Sequence, residues 1–135
     1  EARRHASAGA VGLTRWTQDL RARIQARPGH YALFGAIRRA AYTDDGSLLF
    51  VNSGLDPSRP LEAQRDSFWW SSGSFARITE PYAGFRMIVR GFDRNRPGVE
   101  VGAYTATVDA GCGFGGPLVA ACILPTGKIV EVLQA

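Results

Sequence analysis

Lysine, methionine, histidine and cysteine are all scarce in this sequence: Lys128 and Met87 stand alone, beside His5, His30, Cys112 and Cys122. Two thiols and two imidazoles, none at ligand spacing, do not make a zinc site. The cysteines read instead as small apolar residues of a reducing compartment, so a cytoplasmic location is expected. Long apolar runs are missing too. The longest, Leu118 to Leu124, is strand-sized, well short of the roughly 18 residues that a membrane-spanning helix needs. The opening EARRHASAGA contains no apolar stretch of the secretory kind. With no initiator methionine, the chain is expected to begin inside a longer gene product.

What is present has the balance of a folded domain: 135 residues, 45% hydrophobic and 21% charged. That excludes a disordered tail, a collagen-like fibre and a coiled coil. A chain of this length can bury about two thirds of its unfolded surface. The expectation is one domain over residues 1–135, or the C-terminal part of a larger one, with residues 1–12 loosely ordered. Sixteen basic residues face twelve acidic ones, for a formal charge of +4 and a pI near 9.6. The arginines recur along the whole chain in runs no longer than two, at Arg3-Arg4 and Arg38-Arg39. A phosphate-tracking surface clusters them. Nucleic acid is therefore not expected as a partner, and neither is a membrane.

Periodicity divides the chain into helices followed by strands. Leu13, Trp16, Leu20 and Ile24 recur at three- and four-residue steps, which predicts a helix from about Thr14 that Pro28-Gly29 ends. A second helix is expected over about 30–39, presenting Leu33 and Ile37. From Ala40 the pattern becomes short strands. Asp44-Asp45-Gly46 predicts a hairpin turn, and the unbroken Leu48 to Val51 predicts a strand covered on both faces. A loop over 52–60 and a short helix over 61–70 follow. Strands are expected at 86–90, 103–108, 117–124 and 128–133, the last two joined by Pro125-Thr126-Gly127. The fold class expected is α+β, two N-terminal helices and then a mostly antiparallel sheet.

No self-sufficient catalytic constellation is apparent. Gly111, Gly113 and Gly116 spell G-x-G-x-x-G, but a dinucleotide site needs a helix opening on the last glycine. Here Pro117 leads into an apolar, strand-like run, so a tight loop between two strands is expected. No G-x-S-x-G nucleophile elbow occurs. Cysteine–histidine chemistry would have to recruit His5 or His30 from distant helical segments. The only adjacent carboxylates, Asp44 and Asp45, belong to the hairpin turn.

One ordered set of motifs carries a resemblance. Leu49-Phe50-Val51-Asn52-Ser53-Gly54-Leu55-Asp56-Pro57 is followed by Arg59-Pro60-Leu61-Glu62-Ala63-Gln64 and Phe68-Trp69-Trp70. Ile88-Val89-Arg90-Gly91-Phe92-Asp93, Val108-Asp109-Ala110-Gly111 and Gly115-Gly116-Pro117-Leu118 come next. This order, over about residues 30–135, resembles the second half of bacterial calcineurin-like metallophosphoesterases of the serine/threonine protein phosphatase type. The resemblance implies half of an αββα sandwich with an apolar sheet face to cover. The missing N-terminal segment or another protein chain would be the partner that covers it.

The family's first-half metal motifs do not occur, and Asn52 and Phe92 stand where second-half histidines would. No cofactor is therefore expected in this chain, a divalent metal pair being implied only if a missing half supplies the ligands. Without them the chain cannot assemble the centre on which such hydrolysis depends. The implied function is a phosphoesterase-like C-terminal region, inactive in isolation; the alternative is a non-catalytic binding or assembly module. If a substrate cleft survives, Asn52, Arg90 and Asp93 should line it, with Arg90 holding a phosphate-like anion. The competing expectation is that Arg90 pairs with Asp93.

Overall fold

Leu13, Trp16, Leu20 and Ile24 share one stripe of a long helix, as their spacing predicts. The computed structural model describes residues 2–135 and divides them into two units, the first ending at Ile37 and the second running Arg38–Ala135. The described residues of the first unit form three helices, α1 (Ala2–Ser7), α2 (Gly9–Ala26) and α3 (His30–Ala36). Helix therefore begins well before Thr14, in Ala2–Ser7 and again from Gly9. Gly29, at a φ of 80°, makes the bend into α3, a conformation that favours glycine. No residue of α2 or α3 is buried. Among the described residues no helix is long and apolar enough to cross a membrane.

The second unit starts with the expected hairpin. Strands β1 (Ala40–Tyr42) and β2 (Leu48–Val51) pair antiparallel, with Gly46 at a φ of 66° in the turn. The Asp45 carboxylate accepts bonds from the Thr43 hydroxyl (2.5 Å), the Ser47 hydroxyl (2.7 Å) and the Ser47 N–H (3.0 Å). These bonds, the Thr43 hydroxyl first, hold its pKa down at about 2.

Beyond the hairpin the sheet departs from the expected antiparallel order. Strands β3 (Met87–Arg90), β4 (Gly98–Val101) and β5 (Thr105–Asp109) complete five strands in the order β1-β2-β3-β5-β4. The central pairs β2–β3 and β3–β5 are parallel; β4 returns antiparallel on β5. The architecture is α+β with a mixed sheet. A strand's composition carries no arrow. Direction is set by connection length, and residues 52–86 are long enough to cross over and re-enter the same way. The edge strand β4, only Gly-Val-Glu-Val after a proline, was not expected at all.

Both faces of the central strands are covered within this unit. On one face Leu49, Val51 and Ile88 pack with Leu55, Phe68, Phe75, Ile78, Tyr82 and Phe85. The short helices α4 (Ser67–Trp70) and α5 (Ser72–Phe75) and the loops around them bring in this second group. On the other face Leu48, Met87, Val89 and Ala106 pack with Phe50, Val108 and Ile123. Ile123 belongs to a separate two-stranded sheet, β6 (Val119–Ile123) and β7 (Ile129–Gln134), turned at Gly127. The bare face expected of half a sandwich is thus absent from the central strands. Exposed apolar side chains lie instead on the hairpin, at Leu118, Val130, Val132 and Leu133, at Tyr42, Trp70, Val101 and Phe114, and on the helices of the first unit.

Candidate functional site at the carboxyl ends of the parallel strands

Because β2, β3 and β5 run the same way, the residues that follow them emerge along one edge of the sheet. Crevices at that edge are where open α/β sheets bind ligands. Asn52 follows β2, Gly91-Phe92-Asp93 follows β3, and Asp109 closes β5. The Gly91 N–H lies between two carbonyls, Val51 O at 3.2 Å and Asn52 O at 3.1 Å, which stitches the first two exits together. A cleft of about 260 Å³ opens there, lined by Asn52, Phe92, Asp109, Cys112 and Phe114 among others.

Asp109 organises the loops around this cleft. One carboxylate oxygen accepts the Asp93 N–H and the other the Gly111 N–H, each at 2.8 Å. The glycine-rich segment after it forms a single tight turn, Cys112–Phe114, and then runs into β6. No helix opens on Gly116, so the geometry of a pyrophosphate site is lacking. Gly115 sits at a φ of 89°, and a Cβ on Gly116 would stand 2.0 Å from the Ala110 carbonyl oxygen. The Arg96 guanidinium lies 3.7 Å over the Phe114 ring, fastening the 93–96 turn to the same loop.

Arg90 and Asp93 meet in a buried ion pair, and Asn52 is not part of it. Strand alternation aims Arg90 to the face that carries Ile88, with its guanidinium carbon 4.2 Å from the Phe75 ring centroid. Its Nε donates to Thr107 Oγ1 at 2.9 Å, and its terminal nitrogens reach Asp93 Oδ2 and, at 3.4 Å, the carbonyl and hydroxyl of Ser72. Burial lowers the Arg90 pKa, with the Asp93 charge the largest opposing influence. The pair lines a second, open cleft of about 1000 Å³ beside Trp70, Arg94 and Glu100. Asn52 lines the smaller cleft, its Nδ2 reaching Trp69 O at 3.4 Å.

The donor set does not fit the metal pair that the resemblance implies. Among the described residues no three histidine, cysteine, aspartate or glutamate side chains gather. At the small cleft Phe92 has no donor atom, Asn52 offers only an amide, and both Asp109 oxygens are occupied by backbone N–H groups. Gln64, which closes the Arg59–Gln64 motif but was given no role there, is fully buried. Its amide reaches Asp56 N (2.8 Å), Asp56 O (2.6 Å), Arg59 O (2.9 Å) and Tyr82 OH (2.8 Å). A lone glutamine in a polar loop carries no periodic signal, so only its neighbours reveal this clamp. No protein-family model, curated protein or solved structure matches the chain.

Proposed function

We propose that residues 38–135 are the C-terminal half of a calcineurin-like metallophosphoesterase fold in which the metal positions have been replaced, and that the chain is not itself a hydrolase. The observation that supports this is the convergence of Asn52, Phe92 and Asp109, from three separate strand ends, on one small cleft. These are positions the resemblance picks out in motifs far apart along the chain. Arg90, the expected anion holder, directs its donors to Asp93 and Thr107, which makes it part of the scaffold.

Two measurements test the proposal. With added manganese, para-nitrophenyl phosphate should not be turned over above background; robust turnover abolished by a chelator would overturn the loss of catalysis. The double change Asn52→His with Phe92→His places imidazoles back at the cleft, and zinc titrated calorimetrically should bind at least about tenfold tighter than to the parent, some 1.4 kcal/mol. No gain would show that the two positions do not face a common point.

The second reading, a non-catalytic assembly module, is favoured by the absence of any buried residue in α2 and α3. Most helical stability in proteins comes from packing of an amphipathic face, so helices of this kind gain stability from packing against something.

A further inference from the structure

On the sheet face that carries Ile88, the apolar cover takes in β2 and β3 but no residue of β4 or β5. Register decides what stands there instead. Arg90, Thr107 and Glu100 lie side by side across β3, β5 and β4, and alternation puts Thr105 on the same face as Thr107. All four line the open cleft of about 1000 Å³, together with Trp70, part of α5 and the Asp93-Arg94-Asn95 turn.

The polar groups of this cleft fall into two sets. Arg90 donates to both Asp93 and Thr107, so these three engage one another. Among the described residues, no ion pair or side-chain hydrogen bond within the chain engages Arg94, Asn95, Glu100 or Thr105. These offer a guanidinium, an amide, a carboxylate and a hydroxyl, donors and acceptors together. Their charges cancel, as do those of Arg90 and Asp93. Trp70 lines the same cleft and is 81% exposed, leaving the large apolar face of an indole in water.

Ligand classes differ in what they ask of such a cleft. An anion would meet Glu100 as well as Arg94, and a cation the reverse, so neither finds an excess of opposite charge. An apolar ligand would strip water from unpaired polar groups, which is costly. A peptide backbone brings one donor and one acceptor per residue, fewer than the several hydroxyls of a sugar ring. A neutral sugar fits each feature. Its hydroxyls both donate and accept, and the C–H face of a pyranose ring can lie on an indole. The volume is at the upper end for a small-molecule site, which suits several linked rings rather than one.

We propose that this cleft binds a neutral oligosaccharide, with one ring stacked on Trp70 and the adjoining rings hydrogen-bonded to Asn95, Glu100 and Thr105. It shares no lining residue with the cleft of Asn52, Phe92 and Asp109. Failure of this proposal would therefore leave the histidine-restoration result untouched.

The test titrates the full chain calorimetrically with cellohexaose, maltohexaose, chitohexaose and mannohexaose. A heparin hexasaccharide and an uncharged hexapeptide serve as comparisons. At least one neutral sugar should bind with a Kd of about 1 mM or tighter. Raising the salt concentration about tenfold should change that affinity by less than about twofold, because a neutral ligand has no charge to screen. Trp70→Ala should weaken binding about fivefold or more, the loss typical of an aromatic stacking platform. Thr105→Val, which keeps the shape and removes the hydroxyl, should weaken it about threefold. Glu100→Ala, at an exposed position, gives the same reading should Thr105→Val unfold. Tyr42→Ala removes an aromatic that is 64% exposed outside the cleft and should change binding by less than about twofold. Circular dichroism checks that each variant keeps the parent's fold. Binding to none of the neutral sugars would overturn the proposal, as would equal or tighter binding of the heparin sugar or the peptide. Equal effects of Trp70→Ala and Tyr42→Ala would do the same.

Discussion

Arg90 and Asp93 carry opposite charges into the interior at the end of β3, with their side chains only 9% and 10% exposed. Removing one partner of such a pair leaves the other charge buried and uncompensated, which costs about 3–5 kcal/mol. Arg90→Ala should therefore lower stability by about that amount in urea unfolding. Arg59→Ala, which breaks the more exposed pair with Asp56, should lower it by under about 1 kcal/mol. Similar losses for the two would show that Arg90 is not a structural anchor. The glycine loop behaves differently from residue to residue. Gly115→Val forces a side chain to a φ of 89°, and Gly116→Val drives a Cβ into the Ala110 carbonyl. Each should cost about 1–3 kcal/mol. Gly113→Ala, with open space and no positive φ, should leave melting nearly unchanged.

At the scale of elements, the β1–β2 hairpin is tied to the ionisation of one carboxylate. Asp45 titrates at about 2 in the folded chain, below its value of about 4 in an unfolded one. A depressed folded value means that stabilisation is complete above the unfolded pKa and is lost as pH falls from about 4 towards 2. Asp45→Asn should flatten the stability profile in that window, and an unchanged slope would place the acid sensitivity elsewhere. The 52–64 loop depends on Gln64 in a different way. Gln64→Leu fills the space but leaves the Asp56 N–H without its acceptor, so a loss of about 1–3 kcal/mol is expected in thermal unfolding.

For the whole molecule, burial and charge separate along the same boundary. The sheet unit is electrically balanced and, among the described residues, holds every buried hydrophobic one, while the helical unit carries the net charge. Hydrogen exchange on the full chain should reflect this. Amides of β2 and β3, buried on both faces, should be the slowest, because they open only with the core. Amides of α2 should exchange much faster, close to the limit of a fraying helix. Equal protection for α2 and β3 would mean that the helix has tertiary support.

The α2 stripe, the Asp-Gly hairpin, the β6–β7 hairpin and the glycine turn were legible in the sequence because each is local: its signal lies within a few residues of the feature. So was the α+β class, which follows from element order. Strand direction was not legible, because β2 and β3 have the same composition in either orientation and only the path of 52–86 decides it. The short strand β4 exists because β5 offers it a partner. The side of the sheet to which Arg90 points, away from the cleft of Asn52 and towards Phe75 and Asp93, depends on alternation measured from the strand's register. The Gln64 clamp depends on Asp56, Arg59 and Tyr82 meeting in space. Local chemistry was written residue by residue, whereas the site came from contacts between distant segments, which only burial of the sheet could bring together.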